Sequence, residues 1–273
     1  MQTLRQTLQL FWPVAARFAK RRLRVALALV TSRAVLAPAS PRVRGELTLE
    51  GITFAYREAR AVLQNVSFTV PAGKTVAVVG LSSAGKSSLI RLLFRLYEPD
   101  AGRILLDGTP LGDLSPSALR RAIAVVPQDT VLFNDTIAAN IGFGRLGASD
   151  LEIQAAARLA NLHELVARLP YGYETVLGEH GPKLSSGERQ RLSIARAALK
   201  SPRIFVVDAA MSSLDARTER EIQRNLLGVS AHSTTLVIAN HRSLVKHADR
   251  IIVLDRHGAV SQREELPTSA AQG

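Results

Sequence analysis

Apolar and polar positions alternate with period two over residues 47–50, 52–56 and 63–70, the pattern of half-buried antiparallel strands, and a Pro71-Ala72-Gly73 turn closes the third. The pattern then changes. Residues 75–79 are uniformly apolar, as in a strand buried on both faces, and residues 88–97 carry apolar side chains at helical spacing. Residues 103–106 read as a strand ending at an Asp107-Gly108 turn. Residues 115–122 read as a helix with Ser115 as cap and Pro116 at its first position. Residues 123–126 form another buried strand, ending at Pro127-Gln128, whereas 150–169 are helical in pattern throughout and predict a separate helical lobe.

A further helix is expected over 185–200, because Ser185 and Glu188 have capping-box spacing and Pro202 stops the run. Residues 204–207 with Asp208 make an apolar strand carrying an acid at its carboxyl end, where ligands sit in open α/β sheets. A helix over 215–227 and strands over 235–239 and 250–254 follow, and the tail from Glu264 has loop composition. Strands alternating with helices predict an α/β fold with a mainly parallel sheet.

Composition changes this picture in one place. The 273 residues carry a net charge of +12 and no cysteine, which excludes a disulfide framework and a thiolate metal site. Residues 1–45 hold nine Arg or Lys and no acid, so the remainder is nearly balanced, with 26 basic against 23 acidic residues. The charge therefore describes an arm on a balanced body and gives no support for a nucleic-acid-binding face. Residues 2–30 read as a basic amphipathic helix whose apolar run is too short for the ~20 residues of a membrane span. A helix lying at a membrane surface, a solvated arm and an Arg-rich targeting peptide all fit this arm. Residues 37–44, with Pro38 and Pro41, are a linker.

The strongest chemical signal is Gly80-Leu81-Ser82-Ser83-Ala84-Gly85-Lys86-Ser87, between a predicted strand and a predicted helix. That context makes it a phosphate-binding loop, with backbone N–H groups and the helix start facing phosphate oxygens. Lys86 reaches the β- and γ-phosphates in such loops, and the Ser87 hydroxyl ligates Mg²⁺.

Four stretches in order resemble the nucleotide-binding domain of ABC transporters: the loop at 80–87, Gln128, the run Leu184-Ser185-Ser186-Gly187-Glu188-Arg189-Gln190, and residues 204–208 followed by Ser212-Ser213-Leu214-Asp215. Thr175-Val176-Leu177-Gly178-Glu179 and Leu132-Phe133-Asn134-Asp135-Thr136-Ile137 resemble the exporter class, in its mitochondrial iron–sulfur and heavy-metal-tolerance branch. The likeness covers about 46–262, with a helical subdomain near 136–200 and a tail over 263–273. It implies the P-loop ABC fold, in which an antiparallel β subdomain and a helical subdomain flank the parallel core. The arm looks like the segment before the first membrane helix of such exporters. A rearranged fragment, or a chain that works beside membrane subunits, would account for it.

The resemblance also implies roles. Tyr56 stacks on adenine. Gly80, Ser82, Ser83, Ala84, Gly85, Lys86, Ser87 and Ser88 surround the phosphates of ATP, and Ser87, Gln128 and Asp208 serve Mg²⁺. The signature residues 184–190 sit on the γ-phosphate held by a second nucleotide-binding domain, and Asp215 lines that dimer interface. A membrane-spanning domain or subunit is the other implied partner, at the cytoplasmic face of a bacterial or organelle inner membrane.

The sequence departs from the family where hydrolysis is concerned. The acid expected after Asp208 is Ala209, whose methyl group orients no water, so hydrolysis is expected to be weak or lost. The switch His position holds Asn240, with His241 one place late, and Met211 stands where Thr is usual. Ser83 and Ser186 replace glycines, with a backbone penalty wherever φ must be positive. Three readings follow: an ATP-gated domain that hydrolyses poorly, a non-catalytic subunit docked on a membrane partner, and an active ATPase in which Gln128 or His241 orients the water. A rearranged fragment without function is a further alternative.

Overall fold

The computed structural model describes residues 44–265 except 57–59, 82–83, 179–182, 210–220, 222–223, 227, 230–232, 240–244 and 246–247. The expected arm before Arg44 and most of the helix expected over 215–227 therefore lie outside the described residues.

Two sheets share the core. The first is antiparallel, in the order β2-β1-β4-β5, from β1 (Leu47–Phe54), β2 (Leu63–Val70), β4 (Ala101–Leu106) and β5 (Thr109–Pro110). The second runs β10-β9-β3-β8-β7-β6, from β3 (Thr75–Gly80), β6 (Ile123–Val126), β7 (Ile204–Ala209), β8 (Thr234–Ala239), β9 (Arg250–Leu254) and β10 (Val260–Glu265). The five from β9 to β6 are parallel, and β10 is an antiparallel edge. The α/β fold with a mainly parallel core and an antiparallel sheet beside it is as expected.

Six helices with both ends among the described residues accompany them: α1 (Lys86–Leu93), α2 (Pro116–Ala122), α3 (Ile137–Gly142), α4 (Asp150–Leu159), α5 (His163–Ala167) and α6 (Ser186–Lys200). None in the described residues is long and apolar enough to cross a membrane. α2 and α6 match expectation to the residue, because their ends are set by local chemistry. Ser115 caps α2 with Pro116 behind it, and Ser185 and Glu188 close a capping box on α6.

Elsewhere tertiary geometry overrides pattern. The expected strands 47–50 and 52–56 are one strand, carried through a bulge where Gly51 takes φ +61 and its N–H donates to Ser67 Oγ. The helix expected over 88–97 begins earlier, at Lys86, and ends at Leu93, before Arg95 turns left-handed and donates to the carbonyls of Leu111, Gly112 and Leu114. The single helix expected over 150–169 is broken between α4 and α5, where Asn161 adopts φ +51. The tail is not loop from Glu264: β10 runs to Glu265, pairing with β9. The sequence over 261–265 has no apolar residue and so shows no strand pattern, whereas an edge strand needs only its backbone ladder.

One apolar cluster joins both sheets to α1, through Leu47, Ile52, Leu63, Val78, Leu89 and Leu93. A second joins β6 and β7 to the helices, through Ile141, Ala157, Leu162, Leu192, Ile194 and Phe205. Phe205, fully buried on β7, anchors the strand that carries Asp208 to α6 and its neighbours. Replacing it with alanine is expected to lower unfolding free energy by about 3–5 kcal/mol, read from urea denaturation midpoints.

Candidate functional site

The parallel strands end together. Val79 of β3 and Ala209 of β7 both pair with Ala239 of β8, so the carboxyl ends of three strands are level. At the end of β3 the chain passes Leu81 and reaches α1 through Ala84 and Gly85, while Ser82 and Ser83 lie outside the described residues. Gly85 is the N-cap of α1 with φ +76, and no side chain caps the helix there. A Cβ at this residue would run into the Val62 carbonyl oxygen, so backbone strain and crowding both demand glycine. The uncapped first turn leaves N–H groups for an anion.

Lys86 is 4% exposed, and its Nζ donates to the carbonyl oxygens of Gly80 and Leu81, each at 2.6 Å. Burial lowers its pKa, and the negative charge of Asp208 works in the opposite direction. Asp208, half-buried at the end of β7, is pushed up by burial, pulled down by Lys86 and pushed up again by Asp129. The fold thus brings Lys86 and Asp208, far apart in sequence, into one electrostatic unit. Ser87 is exposed on the first turn of α1, and Gln128 is exposed just beyond β6. Hydroxyl, amide and carboxylate oxygens are hard donors suited to Mg²⁺, and a buried ammonium beside a helix start suits a triphosphate, so these residues fit Mg-ATP.

Tyr56 stands two residues past the end of β1, half-buried against the core. Its ring meets Phe54 and Tyr97 edge to face at 4.8 and 5.2 Å. Its hydroxyl lies 3.0 Å from Ser88 Oγ and accepts from Arg91 at 2.7 Å, with the Arg91 guanidinium 5.5 Å from the ring centroid. Ser88, expected near the phosphates, is therefore buried and bonded to the tyrosine. Arg91 has no motif in the sequence to reveal it.

The signature run divides by exposure. Leu184, Gly187 and Gln190 are buried, whereas Ser185 and Ser186 are exposed at the start of α6. Ser185 Oγ accepts from the Glu188 N–H at 3.3 Å, and Glu188 Oε2 accepts from the Ser185 N–H at 2.7 Å. Arg189 donates to the Leu184 carbonyl at 2.5 Å, and Gln190 Nε2 lies 3.5 Å from the Pro127 carbonyl beside Gln128. Ser186 is helical and absent from the left-handed residues, so its Cβ carries no backbone strain. Asp215, Asn240 and His241 lie outside the described residues, and nothing is added to their expected roles.

Residues 63–212 match the sequence profile of the ABC transporter family, more than half of the chain. The chain belongs to the ABC transporter family. Among relatives of this ABC domain, an ATM1-type heavy metal exporter of Novosphingobium aromaticivorans is 47% identical over 84% of this chain and 38% of its own length. The human mitochondrial iron-sulfur clusters transporter ABCB7 is 49% identical over 80% of this chain and 29% of its own. The solved structure of a bacterial Atm1-family ABC exporter with ATP bound superposes with a TM-score of 0.78 at 42% identity, over 91% of this chain and 44% of that one. The exporter-type ABC domain and the heavy-metal and iron–sulfur branch are as expected. The chain spans 29% to 38% of the length of these two curated relatives.

The glycine requirement makes a direct prediction. Gly85→Ala should lose Mg-ATP affinity by at least about tenfold and also lower thermal stability, the αL penalty alone being about 1–2 kcal/mol. Isothermal titration and a melting curve measure the two effects.

Proposed function

We propose that this ABC domain binds Mg-ATP at the phosphate loop, dimerises on it with a second nucleotide-binding domain, and hydrolyses it slowly. The observation that carries the reading is the buried Lys86, held at the end of β3 beside an uncapped helix start and coupled by charge to Asp208. Ser87, Asp208 and Gln128 would hold Mg²⁺, and Tyr56 would lie against the adenine. The exposed start of α6 would face the γ-phosphate on the partner domain, where Ser186 adds bulk in place of glycine. Mg²⁺ when bound supplies charge neutralisation on the phosphate oxygens. Water activation is the deficient part, because Ala209 has no acceptor group.

The exporter relatives support a membrane-spanning partner, and the basic amphipathic character of residues 1–45 supports docking at a membrane surface on its cytoplasmic side. A non-catalytic subunit that binds ATP without turnover is the second reading, favoured by the same Ala209.

Mg-ATP binding and phosphate release measured side by side, with Lys86→Ala as control, separate the two readings. Binding should be lost in the control. Turnover of the unmodified chain above the control supports the ATPase, and turnover equal to it supports the non-catalytic subunit. Ala209→Glu should raise phosphate release about a hundredfold; no gain would remove the missing acid as the limiting defect. Deleting residues 1–45 should abolish partitioning onto anionic vesicles, whereas unchanged partitioning rules out the docking role of the arm.

A further inference from the structure

We infer that Arg91 is a positioning residue for the nucleotide base, which holds the Tyr56 ring ready for adenine and so favours ATP over a bare triphosphate; this rests on the Tyr56–adenine reading above. The backbone that carries Tyr56 is fixed first. The Ala55 N–H donates to Asp100 Oδ2 at 2.7 Å, and the Asp100 N–H donates to the Thr53 carbonyl at 2.9 Å. These bonds set where the Tyr56 side chain starts and leave open where its ring lies.

Two kinds of contact then hold the ring. Its edge-to-face meetings with Phe54 and Tyr97, at interplanar angles of 79° and 87°, set the plane of the ring. The hydroxyl oxygen lies on the axis about which the ring turns, so bonds to it leave the plane alone and set the ring's position. Arg91 Nη1 donates to that oxygen at 2.7 Å, which leaves the tyrosine proton free for Ser88 Oγ at 3.0 Å. The guanidinium is always charged, so its bond is the stronger of the two.

Ser88 and Arg91 are three residues apart on one face of α1, the helix whose first turn carries Lys86 and Ser87. Tyr56 is thereby tied to the same rigid element as the candidate phosphate groups, which fixes the spacing between the two ends of one nucleotide. Ser88 is buried, whereas Arg91 is exposed, so removing the guanidinium empties no part of the core. What it removes is order. A ring left free to move must be immobilised at binding, and that entropy is subtracted from affinity for the base. The phosphates feel none of it.

Isothermal titration with Mg-ATP and with Mg-tripolyphosphate, which has no base, tests this on the unmodified chain, Arg91→Ala, Tyr56→Phe, their double variant and Tyr56→Ala. In Arg91→Ala, Mg-ATP affinity should fall at least about fivefold while Mg-tripolyphosphate affinity stays within about twofold. Tyr56→Phe keeps the ring and loses the hydroxyl, and it should reproduce the fall in Mg-ATP affinity. The double variant should be within about twofold of the weaker single one, because both changes break the same bond. Equal losses for both ligands in Arg91→Ala, or additive losses in the double variant, overturn the inference and leave the Tyr56–adenine reading standing. So does undiminished Mg-ATP affinity in Arg91→Ala or Tyr56→Phe while Tyr56→Ala is impaired. Undiminished affinity in Tyr56→Ala, or a chain that binds no Mg-ATP, overturns both.

Discussion

Parallel register between β3, β8, β7 and β6 is the constraint on which the site depends. Because Val79 and Ala209 pair with the same residue of β8, the phosphate loop and Asp208 emerge at one height although 128 positions separate Gly80 from Asp208. A slip of one residue in β7 would turn Asp208 to the other face of the sheet. Register is held by burial on both faces. Val76, Val78, Phe205, Val206, Leu236 and Ile238 are all almost wholly enclosed, so displacing any one strand would expose apolar surface at about 25 cal/mol per Å².

The helical layer is fastened to that rim by polar contacts as well. Arg196 of α6 donates from Nε to the Asn140 carbonyl at 2.6 Å and from a terminal nitrogen to the Val131 carbonyl at 2.6 Å, and it lies over the Phe133 ring. Burial lowers its pKa to about 10, so it is still charged at neutral pH. Asn140, fully buried, closes the loop by bonding Phe133, Asp135 and Thr136. The segment that follows Gln128 is thereby fixed to the helix that begins with the signature. A displacement at either end therefore reaches the other through packed, hydrogen-bonded groups.

The substitutions at the site differ in kind. Ser186 replaces a glycine without backbone strain, so whatever it costs is felt at a ligand or partner and not in the fold. At Ala209 the strand is intact, paired with Ala239 of β8. On the reading proposed above, the binding groups are present and a water-orienting group is lost, the separation expected when positioning and proton handling are carried by different residues.

What was legible in the sequence is what local chemistry decides. The phosphate loop, the capping box at Ser185 and the Ser115-Pro116 helix start are set within a few residues, and the apolar runs of β3, β6 and β7 announce full burial by themselves. The bulge at Gly51 and the left-handed breaks at Arg95 and Asn161 were not legible, since each is tied to residues farther along the chain, and the edge strand β10 was not, since its residues carry no apolar alternation. The same holds at the site. Residue identity singled out Lys86, Gln128 and Asp208 as candidates and drew attention to the alanine at 209. Only the packing of strands put Lys86 and Asp208 within reach of each other's charge and turned Ser88 toward Tyr56. Hydrogen-bond chemistry is written residue by residue, whereas distances between remote residues exist only once burial has fixed the register.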